Sequence, residues 1–332
     1  MSDPNSVAAA RMRVSASAAV TEAFHEPRFS LRWTIARILG TVWTPKKLGI
    51  LAIILVAPAL LIRMITSIYP FLATAWTSFT DSSAYVQNPV FIGLKNYEQV
   101  LGNPATQKAL IFTITFAIAS TILEIVGGFA LALLLNAKFR LRSLLRAVVL
   151  LPWAIPAIVS ALGFRFIFSQ GSGILPTMLE YMNIHIDWLT SPLWAQVAVI
   201  MANVWRSVPF IAFVVLAGLQ GVPDELYEAA KVDGAGWWRV HSQIVLPLVM
   251  PLMITMGVFM IIFQIGTFDT IYGMTGGGPG SATQVLPYLA YQDAFIGLNY
   301  GRSSALSMIL FLLVLAVGVC ALGRFRKFEV EL

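Results

Sequence analysis

Apolar residues in this chain gather into long stretches separated by polar segments. A helix that crosses a bilayer needs about 20 mostly apolar residues. Six stretches reach that length: Leu48–Trp76, Leu110–Asn136, Ala147–Phe168, Leu193–Leu219, Leu248–Phe268 and Ser304–Leu322. Two stand out, because no Asp, Glu, Lys or Arg lies between Arg239 and Asp269 or between Arg302 and Arg324. The other stretches contain Arg63, Glu124, Arg165 and Arg206. The pattern therefore predicts an all-α membrane protein with about six transmembrane helices.

The polar segments have structure of their own. Residues 1–47 open with an Ala- and Ser-rich run, a composition expected to be disordered. Phe29–Trp43 mixes Leu31, Trp33, Ile35 and Ile38 with two arginines and reads as an interfacial helix. No apolar core of about 7–15 residues follows Arg11 and Arg13, so this segment does not read as a signal peptide. Gln170–Pro192 carries Ile174, Leu175, Leu179 and Ile184 and is expected to form a short interfacial helix. Gly276–Gly280 reads as a turn, or as a hinge near a gate.

Composition agrees with lipid as a solvent. Of the 332 residues, 58% are hydrophobic and 11% charged, against roughly a quarter charged in soluble domains. The formal charge of +6 does not point to nucleic acid, because the basic residues sit in particular connections. With the N-terminus inside, the inner segments hold Arg11, Arg13, Arg28, Arg32, Arg37, Lys46 and Lys47, then Lys138, Arg140, Arg142 and Arg146. They go on to hold Lys231 and Arg239, and finally Arg324, Arg326 and Lys327. The outer segments hold only Lys95, Lys108 and Arg302. This asymmetry predicts an N-in, C-in topology. The single cysteine, Cys320, excludes a disulfide framework within the chain and any Cys-based metal site.

The inner connection between the fourth and fifth stretches, residues 221–247, is the most informative segment. Pro223 suits a first helical turn. Asp224, Glu225 and Glu228 lie near the positive end of that helix and Lys231 near its negative end. Gly234 follows Asp233 and can take the left-handed conformation that ends a helix. A second short helix is expected from Ala235 toward Ile244, with Pro247 marking entry to the fifth span. Ala229 and Ala230 keep one side slim, which gives a charged knob shaped for a groove on another protein.

Glu228-Ala-Ala-x-x-Asp233-Gly234-Ala235, followed by Ile244-x-Leu246-Pro247, resembles the "EAA" signature of permease subunits of bacterial ABC importers. Four further segments resemble the sugar-type branch of that family. They are Phe91-Ile-Gly-Leu-x-Asn-Tyr97, Leu151-Pro152 with Pro156, Thr275-Gly-Gly-Gly-Pro279 with Thr283 and Ala294-Phe295, and Gly301 with Ala305. The resemblance spans about residues 50–325 and implies the ABC type I importer permease fold in the bacterial cytoplasmic (inner) membrane. It implies a second permease subunit, giving a heterodimer, and two cytoplasmic ATPase subunits that carry ATP and Mg. It also implies an external solute-binding protein. Glu228 and Asp233 would then be polar contacts at the ATPase docking surface, shaped by Ala229, Ala230, Gly234 and Ala235 and bordered by Trp237, Trp238 and Arg239. On this reading residues 1–47 form a cytoplasmic N-terminal segment and residues 48–332 the transmembrane permease domain.

The chain has no G-x-x-x-x-G-K-[ST] phosphate cradle. His25, His185 and His241 are scattered, and no nucleophile, base and acid form a pattern. The expectation is a chain with no catalytic residues and no metal or cofactor of its own. Candidate solute contacts come from polar residues inside the spans, where charge is costly and functional by default. Asn203 and Arg206 precede Pro209, which can bend the fourth helix. Gln264, Thr267, Asp269 and Tyr272 lie at the outer part of the fifth. Planar hydrogen-bonding groups and aromatic faces are what a sugar requires. Arg63, Glu124 and Arg165 read instead as snorkelling or mutually paired side chains.

The same class importing a glycerol phosphodiester or a polyol remains open, and Arg206 suits an anion. An ion-gradient-driven secondary transporter would need central acids and two related halves. Glu124 is the one clear carboxylate within a span, and no repeat is visible. A membrane-embedded enzyme would need a catalytic cluster.

Overall fold

A computed structural model describes residues 45–137 and 139–330, with side chains resolved from Ile50 to Gly323 apart from Lys138. The expected N-terminal disorder and the interfacial helix Phe29–Trp43 lie outside the described residues.

The chain divides into two units, Met1–Pro70 and Phe71–Leu332. The described part of the first is helix α1 (Pro45–Arg63) and a π-helical turn (Met64–Ile68), which leads into α2 (Tyr69–Thr77). The turn sits just ahead of Pro70, whose missing amide hydrogen breaks the regular helical ladder. Together they contain a 28-residue apolar stretch, Ile50–Thr77, long enough to cross a membrane.

The second unit begins with an outer connection. Thr80 and Phe91 form an isolated antiparallel bridge there, and α3 (Lys95–Gly102) follows. The second span, α4 (Pro104–Asn136), has 33 residues, starts with Pro104 at its first turn, and is capped by Asn103, whose side chain accepts from the Ala105 amide. Its buried residues recur every three or four positions (Ala109, Phe112, Phe116, Ser120, Glu124, Gly128, Ala132, Leu135). The opposite face exposes Ile111, Ile114, Ile118, Ile122 and Val126. Both faces are apolar, which marks a helix packed on protein on one side and on lipid on the other.

The third span is broken. Helices α5 (Arg142–Val149) and α6 (Leu151–Ala154) meet α7 (Ala157–Ile167) at 92°. Ile155 is extended at the break (ψ 132°), because a residue before proline is pushed out of the helical region by the ring of Pro156. The single straight span expected over Ala147–Phe168 is thus two helical pieces. The outer segment after it folds as α8 (Ile174–Glu180), the short helix expected there.

The fourth span, α9 (Pro192–Gln220), runs 29 residues and passes through Pro209 without interruption, so the bend expected at that proline does not break it. Helix α10 (Asp224–Val232) follows. The fifth span runs from Trp237 to Ile265 and comprises α11 (Trp237–Val240), a π-helical turn (His241–Val245) and α12 (Leu246–Ile265). The second short helix expected after Gly234 is therefore the first turn of this span, and Pro247 lies inside it. The π turn again precedes the proline that lacks a donor. Beyond Gly266 come α13 (Asp269–Met274), α14 (Leu286–Tyr291), a π-helical turn (Gln292–Ile296) and the last span in α15 (Tyr300–Val330).

Successive contacts Glu124–Asn203, Gly127–Val208 and Gly128–Ile211 advance together along both chains, so α4 and α9 run parallel. One apolar core joins Phe112, Phe116, Ala161, Ala198, Ala202, Ile271 and Met274. Another joins Ala132, Leu135, Ile211, Val215, Ala230, Val240 and Val249. Along α4 and α9 a polar belt separates the two cores: Ser120, Thr121 and Glu124 face Asn203 and Ser207, all buried.

Candidate functional site

Two regions carry chemistry: the loop around α10 and the polar belt with the cleft beside it.

Helix α10 has Asp224 and Glu225 in its first turn and Lys231 in its last, as its dipole favours. Pro223 sits just before the helix rather than inside it. Asp233 donates its amide to the Ala229 carbonyl at 3.0 Å and Gly234 donates to Lys231 at 3.1 Å. Gly234 has φ +72°, so the helix ends on a left-handed residue. Ala235 donates to the Ala230 carbonyl and closes the turn. Ala230 is buried against the inner core, and Ala235 packs on it. Glu228, Ala229, Asp233 and Gly234 are exposed. Val232, 87% exposed, and Trp238, 75% exposed, stand beside these acids, uncovered among the described residues. Large apolar groups beside charge on one knob make a surface suited to a protein partner.

In the polar belt Glu124 is fully buried, and Asn203 and Gln264 are each 1% exposed. Asn203 Nδ2 donates to Glu124 Oε1 at 3.1 Å and to Gln264 Oε1 at 3.0 Å. Gln264 Nε2 donates to the same Glu124 oxygen at 2.6 Å, and the Thr267 hydroxyl donates to Gln264 Oε1 at 3.0 Å. Glu124 Oε2 has no partner. These bonds tie α4, α9 and α12 together, each worth about 0.6–2 kcal/mol between membrane helices.

Beside this network lies a cleft of about 490 Å³. Arg206, Phe263, Thr267, Phe268 and Asp269 are among its lining residues. Arg206 Nε is buried and unpartnered. The one ion pair among the described residues is Arg302–Asp293, at 3.4 Å, elsewhere in the structure. A planar donor, a carboxylate, a hydroxyl and two aromatic rings thus share one cavity, a set suited to a polyhydroxylated solute.

The six candidates sort into three places. Arg206, Thr267 and Asp269 line the cleft. Asn203 and Gln264 sit behind it, bonded to Glu124 and to each other. Tyr272 belongs to an aromatic cluster, with ring centroids 5.2 Å from Phe268 and 5.6 Å from Tyr291. Sequence reading set Glu124 aside as a snorkelling or paired side chain, whereas the structure buries it completely. The signal was a lone carboxylate in an otherwise apolar helix. Arg165 is exposed, as snorkelling requires. The outer turn has positive φ at Gly276, Gly277 and Gly280, as the run of glycines indicated.

Residues 124–325 match the family described as "Binding-protein-dependent transport system inner membrane component". The chain belongs to this family. The permease is therefore a multi-pass membrane component of a transport system that works with a binding protein, which settles the choice against an ion-gradient-driven carrier. It is 37% identical over 284 residues to a trehalose/maltose transport system permease protein of Thermococcus litoralis, covering 85% of this chain and 95% of that protein. It is 34% identical over 288 residues to a sulfoquinovosyl glycerol transport system permease protein of Agrobacterium fabrum, covering 86% and 91%. A bacterial alginate ABC transporter, solved with a periplasmic protein carrying an alginate pentasaccharide, shares the permease's fold. The TM-score is 0.74 at 22% identity, over 86% of this chain and 98% of that one.

Proposed function

We propose that this permease is one of two membrane-spanning subunits of an ATP-driven importer for a sugar in a bacterial cytoplasmic membrane. The observation that carries this reading is the 37% identity to a trehalose/maltose permease across 85% of the chain. A second, similar permease completes the pathway as a heterodimer, and an external binding protein delivers the solute. Two ATPase subunits hold ATP and Mg. The exposed Glu228, Ala229, Asp233 and Gly234 contact one ATPase, while Ala230 and Ala235 anchor the knob to the membrane domain. Residues 1–47 lie on the cytoplasmic side, ahead of the transmembrane domain 48–332.

Within the membrane, Arg206, Thr267 and Asp269 form the polar wall of the solute pathway. Arg206 donates to sugar oxygens, Asp269 accepts from hydroxyls, and Phe263 and Phe268 offer flat apolar faces to a pyranose ring. Asn203, Gln264 and Tyr272 support that wall from behind and from its outer rim. ATP binding draws the ATPases together, moves the α10 knobs, and carries the pathway between inward- and outward-facing states. A second solute class is favoured by one specific pairing. One relative is a sulfoquinovosyl glycerol transport system permease protein, and Arg206, whose buried Nε has no partner among the described residues, suits an anion.

The test is ATP hydrolysis by the complete complex in lipid vesicles, with its binding protein and a panel of trehalose, maltose, sulfoquinovosyl glycerol and a glycerophosphodiester. Stimulation by one sugar supports the reading and names the solute. Stimulation by the glycerophosphodiester alone, or by none of the panel, refutes it.

A further inference from the structure

Glu124 is the only acidic residue among the described residues within the apolar spans, the last of which ends at Gly323, and it is not among the residues that line the cleft beside Arg206. It is an acceptor placed where two amides converge. Because its Oε1 takes hydrogen bonds from both Asn203 Nδ2 and Gln264 Nε2, both amide nitrogens must turn toward it. The Gln264 carbonyl is thereby turned away from the carboxylate, and it accepts from Asn203 Nδ2 and from the Thr267 hydroxyl. Thr267 follows the end of α12 at Ile265 and lines the cleft. With its hydrogen committed to Gln264, its oxygen presents only lone pairs to the cavity.

We propose that Glu124 is a positioning residue of the solute pathway: it sets the direction of the hydrogen-bond chain Glu124–Gln264–Thr267 and so the polarity and placement of the cleft wall. This rests on the reading that the cleft is part of the pathway. Four features support it. Glu124 is fully buried. Its bonds reach residues 79 and 140 positions away. The amide it holds lies at the last turn of α12, two residues before the cap at Gly266. Among the described residues the neighbouring Ser120 and Thr121 hydroxyls and Glu124 Oε2 have no partners, so apart from Glu124 the Gln264 amide is held only through its Oε1, by Asn203 and Thr267. Removing the acceptor takes away the bond on the Gln264 amide nitrogen and leaves that side chain held only through its Oε1, by Asn203 and Thr267, which loosens the cleft wall at Thr267.

Two variants separate this role from bulk stability. Uptake of trehalose and maltose is measured per permease molecule in the membrane. E124L is expected to lower it about tenfold, whereas E124Q, which keeps an acceptor oxygen, retains most of it. Adding Q264L to E124L is expected to cause no further loss, as coupled neighbours do. A second readout needs no solute. In a C320S background, D269C is labelled with a membrane-impermeant maleimide, and E124L is expected to shift the labelling rate at least about threefold while E124Q leaves it near the parent value. Uptake per molecule and labelling unchanged in E124L, or additive losses with Q264L, overturn the proposal. So does an E124L whose only defect is a smaller amount of protein in the membrane. If R206A leaves uptake unchanged, the pathway reading fails instead, and the labelling result still decides the role of Glu124.

Discussion

Gly128 on α4 lies directly against Ile211 on α9: a Cβ added to the glycine would stand 2.5 Å from Ile211 Cγ2 and 3.3 Å from the Ala212 amide nitrogen. The two helices thus pack tightly one turn beyond Glu124 on α4 and two turns beyond Asn203 on α9. Small residues at such crossings let membrane helices approach closely.

G128A should therefore lower stability by about 1–3 kcal/mol, the usual cost of overpacking a filled site. The measurement is thermal unfolding of the purified complex in detergent. I211A alone should cost about 2–5 kcal/mol as a buried truncation, but it removes the nearest clashing atom, so G128A with I211A should lose less than the sum of the two single variants. Strictly additive losses would show that the cost of G128A comes from elsewhere.

The α10 knob offers a sharper separation of folding from coupling. Gly234 has φ +72° with open space around it, so G234A meets no neighbour and bears only the left-handed backbone cost of about 1–2 kcal/mol. G234P cannot adopt this φ at all and should leave the protein inserted but unable to hold its ATPase. E228R reverses an exposed charge and should do the same without altering the backbone. Co-purification of the ATPase with each variant reads the effect, and normal recovery with both would remove this surface from the coupling interface.

Arg206 lines the cleft, and its Nε has no partner among the described residues. R206A should reduce uptake about tenfold or more, in line with losing one charge-assisted hydrogen bond of roughly 1.5–3 kcal/mol, while the subunits still assemble. Size-exclusion chromatography of the complex checks assembly, and vesicle uptake checks transport.

At the outer end, Asn96 Nδ2 donates to the carbonyls of Ser78 at 2.9 Å and Thr80 at 2.7 Å, and the residue is 4% exposed. N96L should leave two buried carbonyls short of a donor and cost about 1–3 kcal/mol. A lowered melting temperature with binding-protein-stimulated ATP hydrolysis intact at low temperature is the expected pair of results.

Much of the fold was legible because each spanning helix is a local property of about 20 consecutive apolar residues. Five of the six stretches appear as spanning helices, the fifth beginning at Trp237, well ahead of Leu248, while the third is a bent pair of helical pieces. The break at Pro156 was visible as a proline and was not weighed as one. Pro209 was weighed as a bend, yet the helix continues past it. A proline states which hydrogen bond is missing, and the neighbouring helices determine whether the axis turns.

The sequence by itself determined the membrane class, the number of spans and the knob at Glu228–Ala235, since all of these are written within single runs of residues. Only the tertiary structure decided which polar residues meet. Glu124 finds Gln264 across 140 residues and Asn203 across 79. Arg206 shares a cleft with Thr267 and Asp269, while Tyr272 joins an aromatic cluster instead. The physical reason lies in the solvent. A helix that is apolar all round shows no stripe to mark its buried side, because lipid and protein neighbours are equally apolar. Which face turns inward is therefore set by small residues such as Gly128 and by buried hydrogen bonds, whose partners are known only once the helices have packed.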